Sequence, residues 1–166
     1  MLRVFLRANM YAVLVIGLFL VLLPLAVISL VGLRPLSLPP GLVQIVPAFG
    51  LLLGMVGGSL SYACMTTFVI KGLGTAFPTD PPRKFVVLGP YRYVRNPMYI
   101  GNLSLATGVG LALSSGTYLM YTVGLAAVTH FYIVFSEEPQ LMLRFGQAYL
   151  EYRRTTNRWL PKFDNR

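Results

Sequence analysis

Residues 10–33 read MYAVLVIGLFLVLLPLAVISLVGL, 24 positions without one charged side chain. At 1.5 Å per residue such a run makes about 36 Å of helix, against a bilayer hydrocarbon core of about 30 Å. The stretch therefore predicts a membrane-crossing helix. Pro24 stands inside it, and a proline in a membrane helix predicts a kink rather than an end. Arg3 and Arg7 ahead of the run would suit a signal peptide. The apolar stretch is too long for an h-region and has no small-residue cleavage site, so an uncleaved helix is expected.

Further uncharged runs follow outward from this one. A proline-rich turn, Arg34 to Gly41, leads to a second span over about 42–70. Two shorter segments, about 98–114 and 117–135, flank Ser114, Ser115 and Gly116 and predict a helical hairpin with a tight outer turn. Beyond them Leu141, Phe145, Tyr149 and Tyr152 advance by four, four and three. That spacing predicts one apolar stripe on an amphipathic helix lying at the interface or against the bundle. The expected fold is all-α: one integral membrane domain over 1–166, with four transmembrane helices and a C-terminal interfacial helix. The motif loop 71–97 and the segment 136–166 lie outside the bilayer.

Composition agrees. The chain is 55% apolar and 11% charged, which leaves too little polar surface to coat a water-soluble globule. Its net charge of +9 is spread in short stretches beside apolar runs, a placement that suits anionic lipid headgroups and not nucleic acid. Cys64 is the single cysteine, so neither an intramolecular disulfide nor a cysteine metal cluster is expected. Gly50, Gly54 and Gly58 recur every four residues and share one helix face. Such a face serves either a homodimer seam or packing within the chain, and the second is the stronger expectation.

Of the 14 lysines and arginines only Arg34 falls on the outer side of this arrangement, and the other 13 fall on one face. The positive-inside rule then puts both termini and the 71–97 loop in the cytoplasm, with a bacterial or archaeal inner membrane as the expected setting. All five acidic residues lie on that face too. With no carboxylate at mid-membrane, a small proton-coupled exporter is disfavoured. His130, the only histidine, is expected to have a hydrogen-bonded packing role, since one titratable group makes no relay.

Polar chemistry concentrates at the cytoplasmic face, in residues 87–101, VLGPYRYVRNPMYIG. Read alone, Gly89 and Pro90 make a turn, the tyrosines are interfacial anchors and the arginines set topology. Across the hairpin, Glu137 and Glu138 leave the membrane at the same face, within reach of Arg95. An ion pair at this dry edge would be weakly screened. Arg95 and Glu138 are therefore read as the catalytic pair, the arginine holding the site together through the carboxylate.

The block GPYRYVRNPMYIG, followed some 35 residues later by EEPQLMLRFGQAYLEY, resembles the isoprenylcysteine carboxyl methyltransferase and phospholipid methyltransferase superfamily. The resemblance covers residues 71–163. It implies S-adenosylmethionine bound at the cytoplasmic side and a lipophilic methyl acceptor arriving sideways from the lipid bilayer. The family's cofactor-contacting positions match Phe85, Val86, Tyr91, Asn96, Pro97, Met98, Tyr99 and Glu137, with Arg83 and Lys84 less securely aligned. A sulfonium is attracted by carboxylate charge and aromatic faces. The methyl group is already activated, so alignment can supply much of the acceleration, and no metal is required.

Three departures stand out. The usual Arg-His-Pro is Arg95-Asn96-Pro97 here, so a titrating imidazole is lost while hydrogen bonding is kept. Eukaryotic prenylcysteine enzymes carry a substrate-linked arginine one turn before the glutamate pair, where this chain has Ile133, which weakens a prenylcysteine substrate. The usual Val-Pro-Arg-Trp ending is Thr156-Asn157-Arg158-Trp159. A phospholipid amine, an isoprenoid carboxylate and a small thiol all remain open as acceptors. The reading of a different class is a non-enzymatic membrane scaffold, or a pseudoenzyme that keeps the fold.

Overall fold

The structure, a computed structural model, describes residues 2–72 and 85–161. Its regular structure is helical, with no strand among the described residues. Helix α1 (Leu2–Ile16) runs through a π-helical stretch, Gly17–Leu22, into α2 (Leu23–Val31). Then come α3 (Ile45–Thr67), α4 (Pro97–Ala112), α5 (Gly116–Tyr132), α6 (Glu138–Phe145) and α7 (Gln147–Thr155). Among the described residues, three continuous helices, Arg3–Val31, Pro40–Gly72 and Gly116–Phe145, are long and apolar enough to cross a membrane. The expected span in α4 has 16 residues, about 24 Å of helix, and falls short by length.

Pro24 acts through what it lacks. It has no N–H to offer the carbonyls four and five residues back, Leu20 and Phe19, and inside a bilayer no water can replace it. Both oxygens find partners on α5: the Tyr118 hydroxyl donates to Leu20 O at 2.8 Å and the Tyr121 hydroxyl to Phe19 O at 2.6 Å. The π-helical register lies immediately before the proline. Two tyrosines thus tie the first helix to α5 at its proline, while Ala8 packs with Met65 and Val69 at the other end. Between these two attachments α1 passes over α3 and α4 and leaves room beneath it.

Helices α3 and α4 form the tightest seam. A Cβ on Gly57 would stand 2.6 Å from the Gly101 carbonyl, and one on Gly108 would stand 2.5 Å from the Gly54 nitrogen. On Gly50 it would meet the Ala112 nitrogen at 2.5 Å. The face marked by Gly50 and Gly54 is therefore filled by α4 of the same chain. Gly58 departs from the expected pattern, since its neighbour is only the Leu105 side chain at 3.9 Å and Gly57 takes its place in the seam. A helix has 3.6 residues per turn, so 50, 54 and 57 hold one line where 50, 54 and 58 drift off it.

At one end of the bundle, the backbone of residues 32–36 zips onto the α4–α5 turn. Arg34 N donates to Thr117 Oγ1 at 2.9 Å, Leu36 N to Ser114 O at 2.7 Å and Gly116 N to Arg34 O at 2.8 Å. Ser115 caps α5, its hydroxyl accepting from Tyr118 N. At the opposite end the structure corrects the single amphipathic helix. The fifth helix does not stop near Phe135 but continues through a π-helical stretch, Ile133–Glu137, into α6. The break comes at Gly146, whose φ of +52° suits a residue without a Cβ. The stripe folds back on Phe85, whose ring lies 5.0, 6.0 and 5.4 Å from those of Phe145, Tyr149 and Tyr152.

Candidate active site

The start of α4 positions the site. Asn96 is the N-cap, and Pro97 follows at the first helical position, where its missing N–H is not needed and its fixed φ suits the helix. Just before it a short 3₁₀ turn, Gly89–Arg92, with Gly89 at φ +59°, turns Tyr91 inward. The buried Tyr91 ring stacks on Phe68 at 4.8 Å. Its carbonyl accepts the Tyr152 hydroxyl at 2.6 Å, which fastens α7 to this turn.

Arg95 reaches Glu138 across the hairpin, Nη1 to Oε1 at 3.1 Å, with the two side chains 9% and 8% exposed. A second arginine joins them. Arg158 grips both carboxylate oxygens, Nε to Oε1 at 2.8 Å and Nη2 to Oε2 at 3.0 Å. This two-point fork is the geometry in which a guanidinium holds a carboxylate best, and it raises the Arg158 pKa above its ordinary value. Removing Glu138 would leave the buried Arg95 without its counter-charge and beside a second cation, at a cost of about 3–5 kcal/mol.

The departure at Thr156-Asn157-Arg158-Trp159 thus has a physical content. Arg95 N donates to the Asn157 carbonyl at 2.9 Å, and Asn96 Nδ2 to the Arg158 carbonyl at 3.4 Å. Trp159 Nε1 donates to His130 Nδ1 at 3.2 Å, the rings stacked at 6.1 Å. Residues 157–159 form a strap across the start of α4 and the end of α5. His130 is its hydrogen-bonded packing partner, and Asn96 uses its amide as a backbone tether.

Glu137 points elsewhere. Its Oε2 accepts the Tyr99 hydroxyl at 2.7 Å, and both residues line a cavity of about 330 Å³ under α1. That size lies within the range of small-molecule sites, about 300–1,000 Å³. Its apolar wall is Ala8, Ala12, Val15 and Ile16 from α1, with Gly58, Met65 and Leu105. Its polar wall holds Arg95, Asn96, Tyr99 and Glu137, with Ser61 and Asn102 deeper in the bundle. Ser61 Oγ donates to Asn102 Oδ1 at 2.8 Å.

Of the residues read as cofactor contacts, the cavity brings together Tyr91, Asn96, Met98, Tyr99 and Glu137, along with Arg95. Phe85 belongs instead to the aromatic cluster with α7, and Val86 and Pro97 are buried away from the lining. Glu138 stands behind the wall, turned to the two arginines. Arg83 and Lys84 lie outside the described residues. Ser61 and Asn102 went unnoticed in the sequence, where a polar residue inside an apolar run was the available signal. The α1 wall left none, because its alanines and valine look like any lipid-facing residues.

A search of curated proteins finds no match to the chain. A family model described as phospholipid methyltransferase matches residues 45–148, more than half of the chain. The matched segment runs from the start of α3 into α7 and contains Tyr91, Arg95, Tyr99, Glu137 and Glu138. The chain belongs to the phospholipid methyltransferase family, a family of membrane methyltransferases.

Proposed function

We propose that this chain transfers a methyl group from S-adenosylmethionine to a lipidic amphiphile that reaches the cavity from the bilayer. The observation that carries the reading is the half-buried Glu137 carboxylate, held by Tyr99 in a chamber that joins an apolar wall from α1 to a polar wall at the start of α4. The lining fits that cofactor. Glu137 provides negative charge for a cationic sulfur, and Tyr91, stacked on Phe68, adds an aromatic surface. When bound, S-adenosylmethionine supplies an activated methyl group, so the protein's part is orientation and exclusion of water.

Tyr99 fixes the Glu137 carboxylate, while the strap holds the start of α4 and so fixes Asn96 and Arg95. Ala12, Val15, Ile16 and Leu105 offer an alkyl chain an apolar bed. Among acceptors, a phospholipid amine is favoured over an isoprenylcysteine carboxylate. The family description favours it, and Ile133, where prenylcysteine enzymes have an arginine, is fully buried and offers no carboxylate anchor.

The test is calorimetry with S-adenosylmethionine, which carries the cationic sulfur, on purified protein. Glu137→Gln is expected to bind roughly tenfold to 150-fold more weakly than wild type, the loss of a charge-assisted contact of about 1.5–3 kcal/mol. Glu151→Gln, altered on the exposed face of α7, keeps wild-type affinity. Equal affinities in the two variants would sink the assignment. Absence of binding in wild type would leave the scaffold reading in its place.

In the membrane we propose that α4 completes a four-helix bundle with both termini cytoplasmic, supported by the 13 to 1 basic asymmetry. A C-terminal fluorescent fusion should glow and a C-terminal alkaline phosphatase fusion should stay inactive. The reverse pattern overturns this topology.

A further inference from the structure

The polar wall of the cavity has donors to spare. Both Glu138 oxygens are taken by Arg158. Arg95 Nη1, although 3.1 Å from Oε1, is not aligned for a hydrogen bond, and neither Nη1 nor Nε has a hydrogen-bond partner among the described residues. The Tyr91 hydroxyl has none among them either, with only the Cys64 thiol beside it. All three atoms are buried, and both side chains line the cavity. Nη1 still has its ion pair with Glu138, but buried polar groups almost always find hydrogen-bond partners, so the two left over, Arg95 Nε and the Tyr91 hydroxyl, require an explanation.

A guanidinium can only donate, and its planar fork matches carboxylate and phosphate oxygens. An oxyanion is therefore the complementary group. A simple anion is not, because Glu137 stands in the same chamber and would repel it. The geometry points to a zwitterion site: Arg95 and Tyr91 form a subsite for the ligand's oxyanion, and Glu137 faces its cationic centre. This rests on the reading of the cavity as the methyl-transfer site and deepens it. The chemistry has two sources there. The carboxylate of the cofactor's amino acid end is one, and the phosphodiester of an ethanolamine phospholipid is the other.

Two ligand pairs, each differing in the oxyanion, separate them. One is S-adenosylhomocysteine against its decarboxylated analogue; the other is lysophosphatidylethanolamine against an alkylamine of the same chain length. Calorimetry is run on wild type, Tyr91→Phe and Arg95→Gln. In at least one pair, loss of the oxyanion is expected to weaken wild-type binding roughly tenfold to 150-fold, and both variants shrink that ratio. Shrinkage in the first pair assigns the subsite to the cofactor, and in the second to the acceptor. Should Arg95→Gln fail to fold, Tyr91→Phe decides alone, since it removes one oxygen from a ring that keeps its stack on Phe68. Ratios near one in wild type, or ratios unchanged in the variants, overturn the subsite. If wild type binds none of the four probes, the methyl-transfer reading fails and the subsite falls with it.

Discussion

Gly108→Leu is expected to abolish recovery of folded protein. Even a single Cβ there would stand 2.5 Å from the Gly54 nitrogen and 2.6 Å from the Gly50 carbonyl, and both are backbone atoms inside a helix that cannot turn aside. Overpacking of a yielding core costs about 1–3 kcal/mol, and here two helices must separate along their length. A loss of on the order of 3 kcal/mol or more removes much of a total stability of about 5–15 kcal/mol. Gly124→Leu is the matched control, because nothing lies within 4 Å of a Cβ at that position. Yield of monodisperse protein in detergent and its melting temperature provide the readout. A Gly108→Leu protein that melts with Gly124→Leu would mean that the α3–α4 seam is not the structural axis of the bundle. Gly101→Ala is expected to fail in the same way, because its Cβ would stand 2.7 Å from the Gly57 carbonyl and 2.8 Å from the Ser61 nitrogen, besides pressing on Ser61 Oγ.

Arg95→Lys is expected to insert and fold while losing methyl transfer by roughly tenfold or more, the scale of a lost charge-assisted contact. The charge is kept, which satisfies the positive-inside rule, and an arginine that only sets topology would tolerate the change. What lysine cannot keep is the planar fork. Arg95 pairs with Glu138 through Nη1 while lining the cavity with Nε left unpartnered, and an ammonium on a flexible stem cannot serve both directions. Arg92→Lys is the control, since Arg92 is exposed in the turn before the site. Methylation of a membrane extract by radiolabelled S-adenosylmethionine, normalised to inserted protein, measures the effect. Wild-type turnover in both variants would return Arg95 to the role of a lipid-surface anchor.

The sequence by itself determined the solvent, the helical class and the two motif blocks. Those features follow from local composition: a run such as 10–33 has no other stable home than a bilayer, and in a bilayer its backbone must be helical. The contact between Arg95 and Glu138 was legible as well, because a tight hairpin at residues 114–116 brings the ends of α4 and α5 to one face. Other features depended on tertiary structure. Phe85 and Val86 sit in the motif region yet pack away from the cavity, since whether a residue lines or supports a wall depends on what α7 places against it. The proline's rescue by Tyr118 and Tyr121 links positions about 100 residues apart, and Arg158 meets Glu138 only because α7 turns back at Gly146. The cavity itself is the space between α1, tied at Ala8 and at its proline, and the helices beneath it. Its shape is a relation among α1, α3, α4 and the extension of α5 that carries Glu137, so no single stretch of sequence carries it.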